Sequence, residues 1–128
     1  MTIQRITPQW ITLLQPDEVF VFGSNLQGLH AGDAAKLAMQ WGAVWGKGVG
    51  LQGQTYAIPT MQGGVDTIRP YVDEFISLAK QHPNKTFLVT EIGCGIAGFS
   101  VGQIAPLFKK AMTVDNIYLP EKFWNILG

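Results

Sequence analysis

The chain has 128 residues, the length of one ordinary domain, so we expect a single domain over residues 1–128. Charged residues make up only 14% of it and balance to a formal net charge of zero. This excludes a charged disordered tail and a basic surface for duplex nucleic acid. A surface with so few charges favours contact with a partner, and a second copy of the chain, forming a homo-oligomer, is one candidate.

Cysteine content and hydropathy indicate where the protein works. The single cysteine, Cys94, cannot form an intrachain disulfide, which is typical of a reducing cytosol. No apolar run reaches the roughly 18 residues that a membrane span requires, and the first residues lack the layout of a signal peptide. We therefore expect a cytoplasmic protein without a membrane segment. Two histidines and one cysteine without ligand spacing predict no metal site, and we expect no cofactor.

Helices and strands are predicted to alternate in the first half of the chain. Thr7-Pro8 is a typical start for a short helix, here over 7–14. The apolar run 19–22 predicts a strand buried on both faces. Alanines and leucines at helical spacing predict a helix over 31–45. A glycine-rich stretch follows, and then a short strand over 54–58 that Pro59 ends.

The second half continues the alternation. Asp66 or Thr67 is expected to cap its first helix, and Ser100 with Gln103 forms a capping box for its second. Strands separated by helices predict an α/β fold with a mostly parallel sheet, whose ligands bind at the carboxyl ends of the strands. The predicted elements are helix 66–82, strand 86–92, helix 100–108 and strand 114–119.

Three glycines follow the buried strand of the second half. Gly93, Gly95 and Gly98 let backbone N–H groups approach a phosphate, and the start of the next helix adds positive potential. The loop therefore predicts an anion site that needs no basic side chain. A turn required only for tight packing of strand against helix is the alternative. The G-x-G-x-x-G spacing is weak support by itself, because residues 48–53 match it in front of a strand.

A second loop, residues 23–33, follows the first buried strand. It offers an amide, a hydroxyl and small residues suited to a ribose or a phosphate. Asn25 suits this role, and equally that of a turn residue bonded to nearby backbone. His30 is expected either to bond a phosphate or ribose or to lie exposed to water. Lys47 is the one cation expected to reach a phosphate, unless it is an ordinary solvated loop residue.

Three segments carry a resemblance to a known family. They are Val-Phe-Gly-Ser-Asn at 21–25, Gly-Leu-Gln-Gly before Tyr-Ala-Ile-Pro-Thr at 50–60, and Ile-Gly-Cys-Gly-Ile-Ala-Gly-Phe at 92–99. The chain resembles the macrodomains, which are α/β modules that bind ADP-ribose and sometimes hydrolyse ADP-ribosyl compounds. It resembles more closely a group of small uncharacterised bacterial and phage proteins with a macro-like core. The resemblance to this group covers residues 17–120.

The resemblance implies a three-layer macrodomain-like domain and an ADP-ribose-like ligand. It places Asn25 near the distal ribose and wraps residues 93–99 around the diphosphate, with Phe99 against sugar or base. Ala97 and Met61 stand where related hydrolases carry an aspartate and a lysine, so that catalytic pair is expected to be absent. The predicted ligand-binding residues are Ser24, Asn25, Gly28, His30, Gly32, Gly93, Cys94, Gly95, Ile96, Ala97, Gly98 and Phe99.

Two carboxylates near the loops are candidate general bases for the activation of water. Glu91 is one, unless it is a strand-end carboxylate that faces solvent, and Asp33 is the other, unless it only stabilises a helix start. Cys94 is either a thiol of lowered pKa or, as we favour, a small buried filler. Three functions stay open: a nucleotide-binding module, a hydrolase of ADP-ribosyl compounds, and an oligomeric interaction protein whose glycine loops are structural.

Overall fold

A single five-stranded sheet organises the fold. The computed structural model describes residues 5–30, 32–95 and 97–128. The strands are β1 Glu18–Ser24, β2 Gly50–Gln52, β3 Thr55–Pro59, β4 Thr86–Val89 and β5 Ile117–Tyr118. The α-helices are α1 Asp33–Ala38, α2 Val65–Lys80, α3 Val101–Ile104 and α4 Glu121–Leu127, with 3₁₀ segments at Met39–Trp41 and Ala105–Thr113. The strand order is β2-β3-β1-β4-β5, and only the edge pair β2–β3 is antiparallel.

Central strand β1 is buried on both faces, as its apolar run predicts. Val19 and Val21 contribute to the larger core, which the α2 helix and the Ala105–Thr113 segment cover. Phe20 and Phe22 point to the opposite face, where they pack against Ala35 and Ala38 of α1. Helices therefore lie on both faces of a mostly parallel sheet. This confirms the α/β prediction and is compatible with three layers.

The predicted helix over 7–14 is wrong. Ile6 instead pairs in parallel with Leu119, and the Thr7 N–H donates to the Leu119 carbonyl at 2.9 Å. Residues 7–15 then run without helix or strand, and Trp10 and Leu13 are 82% and 74% exposed. Pairing at the edge of the sheet is limited to residues 5–7, and Ile11 and Leu14 of the following stretch pack against the smaller core.

Other elements are shorter than their patterns predict. Helix α1 gives way to a 3₁₀ turn and ends at Gly42, which has a left-handed φ of 113°. Strand β4 stops at Val89 rather than at residue 92, because the chain turns tightly after Thr90. The two predicted caps of α2 are also wrong, because Gly64 occupies that position.

The capping box after the glycine loop is confirmed. The Ser100 N–H donates to Gln103 Oε1 at 2.9 Å, and the Gln103 N–H donates to Ser100 Oγ at 3.3 Å. The helix that it starts is only four residues long, and the 3₁₀ segment with Pro106 near its start continues from it. Strand β5 is likewise shorter than the predicted 114–119. Within the described ranges, no helix combines the length and the hydropathy needed to cross a bilayer.

Candidate functional site

The carboxyl ends of β1, β3 and β4 open into one cavity of about 420 Å³. Backbone bonds join the three ends: the Thr60 N–H donates to Ser24 O at 2.9 Å, and the Thr90 N–H donates to Val21 O at 3.1 Å. The two loops singled out in the sequence therefore lie side by side, as expected for adjacent parallel strands. The predicted site residues in its lining are Ser24, Asn25, Gly32, Glu91, Gly93, Gly95 and Ala97.

Sequence reasoning missed the contribution of β3 to this cavity. Thr60 and Met61 directly follow β3 and line the cavity, as does Leu29 from the first loop. Leu29 and Met61 are each 50% exposed. The sequence carried a signal for Thr60, because it follows a predicted strand and the carboxyl ends of parallel strands meet at one edge of the sheet.

The two groups that the sequence favours for ligand contact in the first loop already hold the loop together. Asn25 Nδ2 donates to Leu29 O at 3.0 Å, while its Oδ1 accepts from the Leu29 N–H at 2.9 Å. The Ser24 hydroxyl donates to the Gly48 carbonyl. Asn25 thus has the turn role that the sequence left open, and each of its side-chain atoms keeps capacity for one further hydrogen bond.

His30 lies in neither of its two expected places. It is 1% exposed and outside the cavity lining. Its Nε2 lies 2.8 Å from Val44 O and 3.0 Å from Lys47 O, so this nitrogen carries the proton and donates. Gln52 holds the same loop, since its Oε1 accepts from the Val44 N–H at 2.8 Å and its Nε2 donates to Lys47 O at 3.1 Å. His30 and Gln52 therefore form a buried pair of side chains, called the clamp here, that hydrogen-bonds the backbone of residues 44 and 47.

This clamp supports the first ligand loop from behind. The Gly46 N–H donates to Gly28 O at 2.9 Å, and a Cβ on Gly28 would collide with the backbone of Gly46 and Lys47. Gly28 is thus buried against residues 46–47 and does not line the cavity. Lys47 is exposed and lines neither this cavity nor the second one described below, so the structure does not place it on a phosphate.

The glycine loop after β4 folds onto itself. The Phe99 N–H donates to Gly93 O at 2.8 Å, and the Gly98 N–H donates to Gly95 O at 2.9 Å. Among the residues described, the N–H groups of Gly93 and Gly95 form no hydrogen bond. These are the two glycines of the loop that line the cavity. Two backbone donors therefore remain for a ligand at this strand end.

Three predicted contacts of this loop lie outside the cavity lining, although Ala97 of the same loop lines it. Phe99 and Cys94 pack against the larger core, and neither lines the cavity, nor does Gly98. Burial, with a smaller contribution from the Glu91 carboxylate, raises the pKa of the Cys94 thiol. Cys94 is thus a packed thiol rather than an activated nucleophile. The predicted contact Ile96 and the side chain of Asp33 lie outside the described residues, while the backbone of Asp33 begins α1.

A second cavity, of about 550 Å³, adjoins the first. Residues 6–11 form one wall, and Phe20, Leu37 and the start of α4 form the others. Thr7 Oγ1 is buried in this wall and finds no hydrogen-bond partner in the described part of the chain. Three residues line both cavities: Ala34, Thr90 and Glu91. The two cavities are therefore neighbours that share these three residues as a common boundary, and they are called the two lobes of the cleft below.

Glu91 lies at the junction of the lobes, and its carboxylate faces solvent. Its side chain is 42% exposed, and its Oε1 lies 3.9 Å from Lys122 Nζ. The sequence drew attention to Glu91 but not to Lys122, which comes from α4 and is distant along the chain. Within the described ranges, no group of three or more histidine, cysteine or carboxylate side chains could hold a metal ion.

Comparison of the chain with known protein families, with curated proteins and with solved structures finds no match.

Proposed function

We propose that the protein binds ADP-ribose or a related nucleotide in the two-lobed cleft. The observation that carries the proposal is the shared boundary, where Ala34, Thr90 and Glu91 line both cavities. We infer that one ligand longer than either lobe lies across this boundary. The volumes of about 420 and 550 Å³ each suit a small molecule, since ligand sites commonly measure roughly 300–1,000 Å³.

The chemistry of the first lobe suits the sugar-phosphate end of such a ligand. Its wall is rich in glycine and alanine, so the backbone is accessible, and the N–H groups of Gly93 and Gly95 are available as donors. Backbone donors of this kind bind phosphate oxygens without a basic side chain. Thr60 and Asn25 add polar atoms at the neighbouring strand ends.

The second lobe suits the base. Trp10 and Phe20 supply aromatic surface, and Ile6, Ile11 and Leu37 supply aliphatic surface. Gln9 and Thr90 also line this lobe and add polar atoms to it. An aromatic base with polar edges meets both conditions, because its faces are apolar and its rim carries donors and acceptors.

Hydrolysis of an ADP-ribosyl bond is a second candidate function, favoured by the position of Glu91. Its exposed carboxylate lies at the junction of the lobes, where a water next to a bound ligand would be within reach. Chromatography that measures the release of product from an ADP-ribosyl ester or phosphate tests this function. Glu91→Gln and Asp33→Asn are both expected to keep ligand binding. The variant that replaces the general base is expected to lose turnover.

Isothermal titration calorimetry with ADP-ribose, and with AMP and NAD for comparison, tests the binding proposal. Gly95→Glu is the diagnostic variant, because Gly95 has ordinary backbone angles and open space around the position of a Cβ. The new carboxylate would lie in the first lobe and repel a phosphate. Gly102→Glu is the matched control, since Gly102 is exposed, outside both cavities and equally uncrowded.

The proposal expects micromolar binding of ADP-ribose, its loss in Gly95→Glu and its retention in Gly102→Glu, with the circular dichroism of both variants unchanged. Absence of heat with all three nucleotides would contradict the proposal. So would equal affinity in folded Gly95→Glu.

A further inference from the structure

Charge is sparse around the cleft, and it is concentrated where the lobes meet. Of the described residues that line either cavity, Lys122 is the only cation. Its Nζ lies 3.9 Å from the Glu91 carboxylate at the junction. Any ligand that spans both lobes therefore passes a single ion pair.

This ion pair is loosely held. The side chains of Lys122 and Glu91 are 68% and 42% exposed, and their separation of 3.9 Å is longer than that of a strong charge-assisted hydrogen bond. Exposed pairs of this kind contribute little to stability, since water screens them and both side chains lose freedom on pairing. Lys122 can thus leave Glu91 for another anion at small cost.

A dinucleotide-like ligand offers such an anion at the right place. With its base in the second lobe and its distal sugar in the first, the diphosphate in the middle of the molecule lies at the junction. Glu91 would then face the phosphates with like charge, and Lys122 would offset this repulsion as the only cation among the described lining residues. The N–H groups of Gly93 and Gly95, two and four residues after Glu91, would bind the same phosphates from the first lobe.

We propose that the Lys122–Glu91 pair is the selectivity element of the cleft: Lys122 exchanges the Glu91 carboxylate for the diphosphate of the ligand, and Glu91 disfavours the anion. This inference rests on the proposed function. It assigns the preference for a diphosphate over an uncharged nucleoside to one side chain of α4. It also states that the two partners of one ion pair act on affinity with opposite sign.

Lys122→Gln and Glu91→Gln test the inference, with ADP-ribose and adenosine as the probes. Lys122→Gln is expected to weaken ADP-ribose binding about tenfold, while Glu91→Gln strengthens it severalfold. Neither variant should change the affinity for adenosine by more than about twofold. Raising the salt concentration should weaken ADP-ribose binding in the unmodified protein, and less so in Lys122→Gln.

The chain contains a matched control pair. Lys110 Nζ lies 3.9 Å from Asp73 Oδ1 with side-chain exposures of 74% and 42%, and neither residue lines a cavity. Lys110→Gln makes the same change of charge away from the cleft and should leave both affinities unchanged. It therefore separates a local contact from a general effect of net charge.

The outcomes distinguish the two proposals. If the unmodified protein binds no ADP-ribose, the proposed function fails and the inference fails with it. If ADP-ribose binds but Lys122→Gln behaves as Lys110→Gln does, the inference alone is wrong. Weaker binding in Glu91→Gln, or an equal loss of adenosine affinity in Lys122→Gln, would also overturn it, because Glu91 would then assist the ligand or Lys122 would act away from the phosphates.

Discussion

Replacing Gly93 by alanine tests which glycines of the loop serve the fold. Gly93 is buried and has a φ of 73°, a left-handed conformation in which a side chain is strained. A Cβ there would lie 3.0 Å from Ile104 Cδ1 and 3.4 Å from the ring of Phe99. Gly95, two residues later, has neither constraint, because its φ is ordinary and its surroundings are open. Gly93→Ala and Gly95→Ala thus form a matched pair within one turn.

The expected loss of stability follows from three terms. The left-handed backbone costs alanine about 1–2 kcal/mol, and the crowded Cβ costs roughly 1–3 kcal/mol as Ile104 shifts. The reduced freedom of the unfolded chain returns about 0.4–1 kcal/mol. Taken at the middle of their ranges, these terms lower the free energy of unfolding of Gly93→Ala by about 2–3 kcal/mol. For a chain of 128 residues this corresponds to a fall of about 7–11 °C in Tm.

Urea unfolding followed by circular dichroism measures both variants against the unmodified protein. Gly95→Ala should unfold within about 0.5 kcal/mol of it or slightly later, because only the unfolded-state term remains. An unchanged midpoint in Gly93→Ala would refute the reasoning, since the strain assigned to Gly93 would then be absent. An equal loss in both would mean that the open space at Gly95 is needed for the fold.

Three further predictions concern groups outside the ligand loops. Because burial and Glu91 raise the pKa of Cys94, its alkylation by iodoacetamide should begin at higher pH than that of free cysteine, and Glu91→Gln should shift the profile back to lower pH; an unshifted profile would contradict this. Burial, assisted by the charge of Glu74, raises the pKa of Tyr56 to about 12. The native protein therefore holds a proton that the unfolded chain loses near pH 10, and the free energy of unfolding should fall as the pH rises between these two values. Absorbance at 295 nm should show one tyrosine ionising late, and a single step near pH 10 for all tyrosines would refute it. Gln52→Leu should cost about 1–3 kcal/mol in urea unfolding, since it removes the acceptor of the Val44 N–H and one of the two donors to the Lys47 carbonyl. A neutral result would show that water replaces Gln52.

The local part of the site could be predicted from the sequence, because it depends on short-range chemistry. The apolar run of β1 and the Ser100–Gln103 capping box each involve residues a few positions apart, and both appear as expected. The meeting of the first loop with the glycine loop also followed, since parallel strands place their carboxyl ends at one edge.

The roles of individual side chains needed the tertiary structure. A histidine in a glycine-rich loop resembles a ligand contact, yet His30 is buried because the carbonyls of residues 44 and 47 fold over it. The sequence after Ile6 is typical of a helix start, but Ile6 itself pairs with Leu119 at the edge of the sheet.

The sequence by itself determined the class of fold, the two loops and the shortage of charge near them. Composition and the alternation of strands and helices along the chain do not depend on distant contacts. Only the tertiary structure decided that Lys122 faces Glu91, that Thr7 is buried without a partner and that two cavities share a boundary. The ion pair and the shared boundary each bring together residues more than 20 positions apart along the chain. No spacing rule reaches that far, since such neighbours are set by the packing of α4 and the N-terminal segment against the sheet.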